Sequence, residues 1–181
     1  MGWTSFSMRK PVREWFKEEW ESGGNYEVLD SALVKRSTLY GAIKNKKTNE
    51  IFCAVFLVRW SKGYYNFSYK DMTEFAGPNE CECPQRILDI LTPLNDKNDP
   101  NGWARQWRKN CEDVHKKREI VKKAKDSIFK LNNPVQFTNG FTTQYFKKIG
   151  RILWGGNMNN DTFIPVCRVR MNITKYDFEL V

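Results

Sequence analysis

The sequence predicts an α+β protein: an N-terminal antiparallel sheet with helices, a long basic helix, and a small C-terminal β barrel or sandwich. Two segments space their apolar residues as helices do, and β-branched and aromatic runs lie between and after them. At 181 residues the chain can form one domain or two small ones. The predicted divisions are an N-terminal α+β lobe at 1–98, a long basic helix at 99–127 and an all-β lobe at 128–181.

The first helix is predicted from Pro11, which suits a first turn, to Gly23-Gly24. Four strand-like segments follow, at Val28–Val34, Ser37–Lys44, Ile51–Trp60 and Tyr64–Tyr69. Polar breaks of hairpin length separate them, so we expect an antiparallel meander of three or four strands. Because Ile51 to Val58 is apolar on both faces, this strand is expected at the centre, covered by two helices or by a helix and a partner sheet.

A short helix is predicted from Pro84 to Thr92-Pro93, followed by an acidic, Asn-rich loop. The long helix is predicted to begin near Asn101 or Gly102. It places one apolar stripe at helical spacing: Trp103, Trp107, Cys111, Val114 and Val121. Beyond residue 128, turn residues separate short strand patterns, which predict about five strands.

Positive charge is concentrated in the stretch from Arg105 to Lys130. It holds ten Lys and Arg against four Asp and Glu, within a chain of net charge +9. Such a segment favours a polyanionic partner, most often nucleic acid. The alternative is a solvated helix face with surface ion pairs. The candidate binding residues are Arg105, Arg108, Lys109, Lys116, Lys117, Arg118, Lys122, Lys123 and Lys125.

Five cysteines without regular spacing fit thiols in a reducing compartment better than disulfides. A zinc site built from Cys81, Cys83, Cys111 and His115 would have suitable ligands, but a Cys-x-Cys pair is unfavourable for one tetrahedral ion. The alternative places Cys111 in the core and the others in loops. We therefore expect no cofactor.

Patterns of catalytic residues are largely missing from the sequence. The single histidine, His115, lies among lysines with no orienting partner in sight, and no nucleophile elbow, Walker loop or dinucleotide fingerprint occurs. The acidic residues of segment 71–89 have no defined metal-ligand spacing and favour a solvated loop over a Mg²⁺-dependent nuclease. We expect binding without enzymatic turnover, with Trp154 and Tyr64 as candidates for exposed aromatic side chains.

No apolar run is long enough to span a membrane, and the N-terminus lacks a secretory pattern. The expected location is the cytoplasm.

Six short segments of the chain form a set of motifs: Gly2-Trp3-Thr4, Tyr69-Lys70-Asp71-Met72, Gly77-Pro78, Cys83-Pro84, the run from Ile87 to Pro93, and Trp107-Arg108 up to Cys111. They resemble an uncharacterised family of proteins carried by phages, plasmids and other mobile elements. The resemblance covers roughly the first 110 residues. One departure is Asn79, which stands where that family has a cysteine after Gly-Pro.

Taken whole, the chain also resembles anti-CRISPR proteins of the type II-A class. That resemblance implies binding to the type II CRISPR effector nuclease and its guide RNA in a host bacterial cell, without enzymatic activity. A protein of charge +9 cannot mimic DNA over its whole surface, and the nuclease's nucleic-acid channel is itself positive. We therefore expect the basic helix to contact guide RNA, target DNA or an acidic nuclease centre, and a less basic face, at 14–30 or 71–89, to contact the nuclease.

The alternative function is that of an independent DNA-binding or architectural protein of a mobile element, with double-stranded DNA as its partner.

Overall fold

A computed structural model describes residues 4–7, 11–60, 66–124 and 127–181. The chain forms two compact units, Met1–His115 and Lys116–Val181, and the boundary between them lies inside the longest helix. Both units combine helical segments with antiparallel strands, so the predicted α+β class is confirmed. Tyr64 and Lys125, named above as candidates, lie outside the described residues.

The first unit is built on a five-stranded antiparallel sheet in the order β1-β5-β4-β3-β2. Its strands are β1 (Thr4–Ser7), β2 (Tyr26–Val34), β3 (Thr38–Asn45), β4 (Ile51–Trp60) and β5 (Asn66–Thr73). The predicted meander and the central place of β4 are confirmed. Strand β1 was not predicted; it pairs with β5, which is distant in sequence.

Helices cover both faces of this sheet, which explains why β4 is apolar on both sides. On one face, helix α1 (Val12–Glu21) buries Trp15 and Phe16 against β3 and β4. The Phe16 ring lies so close to Gly41 that a Cβ there would be 2.3 Å from it, so this crossing requires glycine. On the other face, α2 (Gln85–Leu88) and the first part of α3 (Trp103–Lys123) bury Ile87 and Trp107.

The second unit is one five-stranded sheet, in the order β10-β6-β7-β8-β9, rather than the expected barrel or sandwich. The strands are β6 (Ile128–Gln136), β7 (Thr142–Ile149), β8 (Ile152–Asn159), β9 (Thr162–Val169) and β10 (Phe178–Leu180). Val121 in the last turn of α3, Ala124 just after the helix, and Ile173 pack on one face of this sheet. Because these residues cover that face, the unit needs no second sheet.

Among the described residues, no helix has the length and apolar character that a membrane crossing requires.

Candidate nucleic-acid interface

The first turn of helix α3 is hydrogen-bonded to the carboxylate of Asp99. Asp99, 2% exposed, accepts hydrogen bonds from the backbone N–H groups of Arg105 at 2.9 Å and Ala104 at 3.4 Å. These are first-turn donors that lack a partner within the helix. The Arg105 guanidinium pairs with both Asp99 and Asp96, at 3.3 and 2.7 Å. Arg105 therefore secures the start of α3.

We expect acid to weaken the start of α3 through Asp99. Burial raises the pKa of this carboxyl, but hydrogen bonds from Arg105 and Ala104 outweigh burial and lower the pKa below its ordinary value. Its stabilising contribution is therefore complete above the unfolded-state pKa of about 3.9 and is lost as the pH falls through the folded-state pKa. Urea unfolding at a series of pH values should show this loss below about pH 4, and Asp99→Asn should reduce it.

At neutral pH, Asp99→Asn should cost about 1 kcal/mol, as for other helix caps. Identical dependence of the unfolding free energy on pH in the parent and the variant would contradict the role of Asp99.

Arg108 is also occupied within the first unit. Its Nε and a terminal nitrogen donate to the two oxygens of Glu74 at 2.6 and 2.8 Å, and its other nitrogen donates to the Thr92 carbonyl at 2.7 Å. Glu74 is fully buried and also accepts the Cys53 N–H at 3.0 Å. This predicted phosphate contact is thus part of a buried ion pair joining α3 to the segment after β5.

The other predicted basic residues of α3 lie nearer its end. Lys109 is exposed in the first unit. In the second unit Lys116, Lys122 and Lys123 are exposed, while Lys117 and Arg118 are half-buried. Lys117 pairs with Asp177 at 2.6 Å, and Lys122 lies 3.7 Å from Glu119. The helix ends at Lys123, and Lys130, which the sequence placed in the basic stretch, lies in β6.

The charge of the chain is divided unevenly between the two units. Residues 116–181 contain 13 Lys and Arg against 5 Asp and Glu, a net charge of +8, whereas residues 1–115 carry only +1. The excess therefore belongs to the whole second unit, not to the helix alone. A polyanion is attracted to this unit much more strongly than to the first.

The two faces of the C-terminal sheet differ in chemistry. One face carries Phe129, Leu131, Phe146 and Val169 into the core of the unit. Strand alternation and register place a different set on the opposite face, which we call the outer face: Lys130, Tyr145, Lys147, Trp154 and Arg168. Of these residues, the sequence analysis named only Trp154 as a candidate for exposure. Lys147 and Arg168 could have been predicted from the alternation of core-facing and outward-facing residues in Phe146-Lys147, Leu153-Trp154 and Cys167-Arg168.

The cysteines of the first unit cluster around its second core. The Sγ atoms of Cys53 and Cys83 lie 3.9 Å apart. In a second pair, the Cys111 thiol donates a hydrogen bond to the Cys81 sulfur, and this hydrogen bond lowers the pKa of Cys81. His115 Nε2 lies 2.7 Å from the Cys83 carbonyl oxygen, in a hydrogen bond to the backbone. No set of three or more His, Cys, Asp and Glu side chains in the described ranges has the geometry to hold a metal ion. Of the four candidate zinc ligands, Cys83 and Cys111 are buried in this core, Cys81 packs at its edge, and His115 is bonded to the backbone.

Three of the five carboxylates in segment 71–89 contact separate side chains of the first unit. Glu74 pairs with Arg108, and Glu82 accepts a hydrogen bond from Lys35 at 2.5 Å. Asp89 accepts the side-chain amide of Gln85 at 2.8 Å. These separate contacts favour structural roles over a shared cation site.

Comparison with known proteins identifies one similar family. Residues 98–172 match a family described as a domain of unknown function, DUF6927, over less than half of the chain. The matched segment includes α3 and the outer face from Lys130 to Arg168. No curated protein and no solved structure matches the chain. The chain is therefore similar, from the loop before α3 to the end of β9, to a family to which no function is assigned.

Proposed function

We propose that this protein binds nucleic acid through its C-terminal unit and catalyses no reaction. The observation that carries the proposal is the net charge of +8 on residues 116–181, against +1 on the larger first unit. Each phosphate neutralised by a Lys or Arg releases condensed counterions, so a unit of this charge gains affinity for any polyanionic strand. The chain's one histidine is engaged with a backbone carbonyl, which favours a structural role for it over acid–base chemistry.

Charge reversal on α3 tests this proposal. Replacing Lys116, Lys117, Lys122 and Lys123 with Glu lowers the net charge of the second unit from +8 to zero. We expect binding to a labelled oligonucleotide, measured by fluorescence anisotropy in moderate salt, to weaken by at least about 100-fold, because the unit loses its whole net charge and with it its attraction for phosphates.

A matched control reverses four exposed lysines of the first unit, Lys17, Lys46, Lys47 and Lys97. It changes the total charge of the chain by the same amount, so a general electrostatic effect would weaken binding equally in both variants. Binding that survives reversal on α3, or that falls equally in the control, would contradict binding driven by the net charge of the C-terminal unit.

We further propose that the biological role of the protein is that of an anti-CRISPR inhibitor, which binds the guide-loaded type II CRISPR nuclease and blocks target DNA recognition or cleavage. The sequence resemblance described above supports this role. The basic unit would contact guide RNA or target DNA, and the nearly neutral first unit would contact the nuclease, whose channel repels positive charge.

A co-elution experiment distinguishes the anti-CRISPR role from that of an independent DNA-binding or architectural protein of a mobile element. The inhibitor should co-elute with guide-loaded nuclease in moderate salt, where lysine-driven DNA binding is already weak, and should reduce target cleavage. A protein that binds DNA but neither co-elutes nor reduces cleavage would instead be the independent DNA-binding protein. No detectable binding to any nucleic acid or to the nuclease would reject both.

A further inference from the structure

We infer that the outer face of the C-terminal sheet is a binding surface for single-stranded nucleic acid, with bases stacked on its aromatic side chains and phosphates held by its cations. This inference rests on the proposed function and names the form of nucleic acid that it would recognise. It is drawn from the strand register, the exposure of the side chains and the charge of the second unit.

Strand register places cations on both sides of an aromatic ring. Lys147 in β7 lies directly opposite Trp154 in β8, which lies directly opposite Arg168 in β9. Side chains paired in this way have Cβ atoms about 5 Å apart. A base stacked on the Trp154 ring would therefore have its flanking phosphates within reach of Lys147 and Arg168.

The neighbouring positions add two more aromatic side chains and another cation. Lys130 in β6 lies opposite Tyr145 in β7, and Tyr145 lies opposite Gly156 in β8. At Gly156 a Cβ would be 2.6 Å from the ring of Phe163, so that ring packs against the glycine, and its register opposite Met158 places it on the outer face. Together, these positions present three rings and three cations: Tyr145, Trp154 and Phe163 with Lys130, Lys147 and Arg168.

These side chains remain accessible to a ligand. The three rings are half-buried, as expected for aromatic groups lying on a sheet, and Arg168 is exposed. Lys130 pairs with Glu179 at 2.6 Å, a surface ion pair that a phosphate can replace. Within the described part of the chain, neither Lys147 nor Arg168 takes part in an ion pair.

The mixture of rings and cations favours a single strand over a duplex. A duplex hides the faces of its bases and offers mainly phosphates, which lysines and arginines alone can bind. A single strand offers both phosphates and unstacked bases, and aromatic side chains on an exposed sheet use both. Because stacking accepts every base, little sequence preference is expected.

The test measures binding of labelled oligouridine, oligodeoxythymidine and a DNA duplex to single-residue variants of the full chain. Trp154→Ala should weaken binding of both single strands by about 5- to 140-fold, the range for loss of one stacking contact. Trp154→Phe, which keeps a ring, should restore most of the affinity, and duplex binding should change by less than about twofold. The two single-strand arms separate RNA from DNA as the preferred ligand.

Lys147 and Lys148 provide a matched pair, because they are neighbours in β7 whose side chains point to opposite faces. Lys147→Ala should lower the slope of log affinity against log salt by about 0.7 for a single strand, the value for one phosphate contact. Lys148→Ala should leave the slope unchanged. If Trp154→Ala fails to fold, the two lysine variants still test the outer face, because neither lysine side chain is in the core.

Three results would overturn the inference. If the α3 charge reversal abolishes binding while the Trp154 and Lys147 variants bind like the parent, nucleic-acid binding stands and the outer face is not its site. If the outer-face variants lose duplex and single-strand binding equally, stacking is not involved. If they instead dissociate a dimer in sedimentation runs without ligand, the occupant of the face is a second copy of the chain. Absence of binding by the parent would reject the proposed function itself.

Discussion

Replacing Arg108 with alanine is expected to destabilise the first unit by about 3–5 kcal/mol, the usual cost of removing one partner from a buried ion pair. The Arg108 side chain is 16% exposed and Glu74 is fully buried. Without the guanidinium, the Glu74 carboxylate keeps only the Cys53 N–H among these contacts, and the Thr92 carbonyl loses its charged donor. Urea unfolding followed by tryptophan fluorescence measures the loss.

Two further variants make the interpretation specific. Arg86→Ala removes a guanidinium from an exposed pair with Asp30 and should cost much less, because water screens exposed ion pairs. The double variant Arg108→Met with Glu74→Leu replaces the buried pair by apolar groups and should recover much of the loss. An Arg108→Ala cost as small as that of Arg86→Ala would show that the buried pair is not needed.

Phe146→Ala is expected to destabilise the second unit by about 3–5 kcal/mol and to weaken nucleic-acid binding as that unit unfolds. Phe146 is fully buried, lies opposite Phe129 and Gly155 on the neighbouring strands, and has its ring centroid 6.3 Å from that of Phe137. Removing the ring leaves a cavity at the centre of the smaller core. Because the outer face is the reverse side of the same sheet, losing this core also loses the arrangement of its cations and rings.

Amide hydrogen exchange can follow the two units separately. In Phe146→Ala, amides of β6 to β8 should exchange faster, while those of β3 and β4 in the first unit keep their protection. Ile149→Ala, at the 45% exposed end of the same strand, should have little effect on either unit. Equal loss of protection in both units after Phe146→Ala would show that they unfold as one.

Local patterns predicted much of the first unit. The helical spacing of Val12, Trp15, Phe16 and Trp20 predicted α1. The two-sided apolar run of β4 predicted a strand covered on both faces. These features repeat every two to four residues, so they can be recognised without knowing what lies opposite. Strand β1 has only four residues and exists through pairing with β5, so no local pattern could reveal it.

The candidate site was predicted less well than the fold. The sequence located an excess of positive charge but assigned it to one helix, and it included Arg105 and Arg108 among the free cations. Their partners, Asp99 and Glu74, come from a loop and from a buried turn, and neither pairing follows the spacing of a helix face. The outer face was missed because its cations are separated by tens of residues along the chain.

By itself, therefore, the sequence determined the α+β class, the long amphipathic helix and the net positive charge, since each follows from residue type and short-range period. Only the tertiary structure decided which cations remain available. The ion pair of Arg108 joins it to Glu74, 34 residues away in sequence, and occupies the guanidinium within the first unit. Strand register likewise sets Lys147 and Arg168 on either side of Trp154, and this alignment depends on pairing between strands rather than on any one of them.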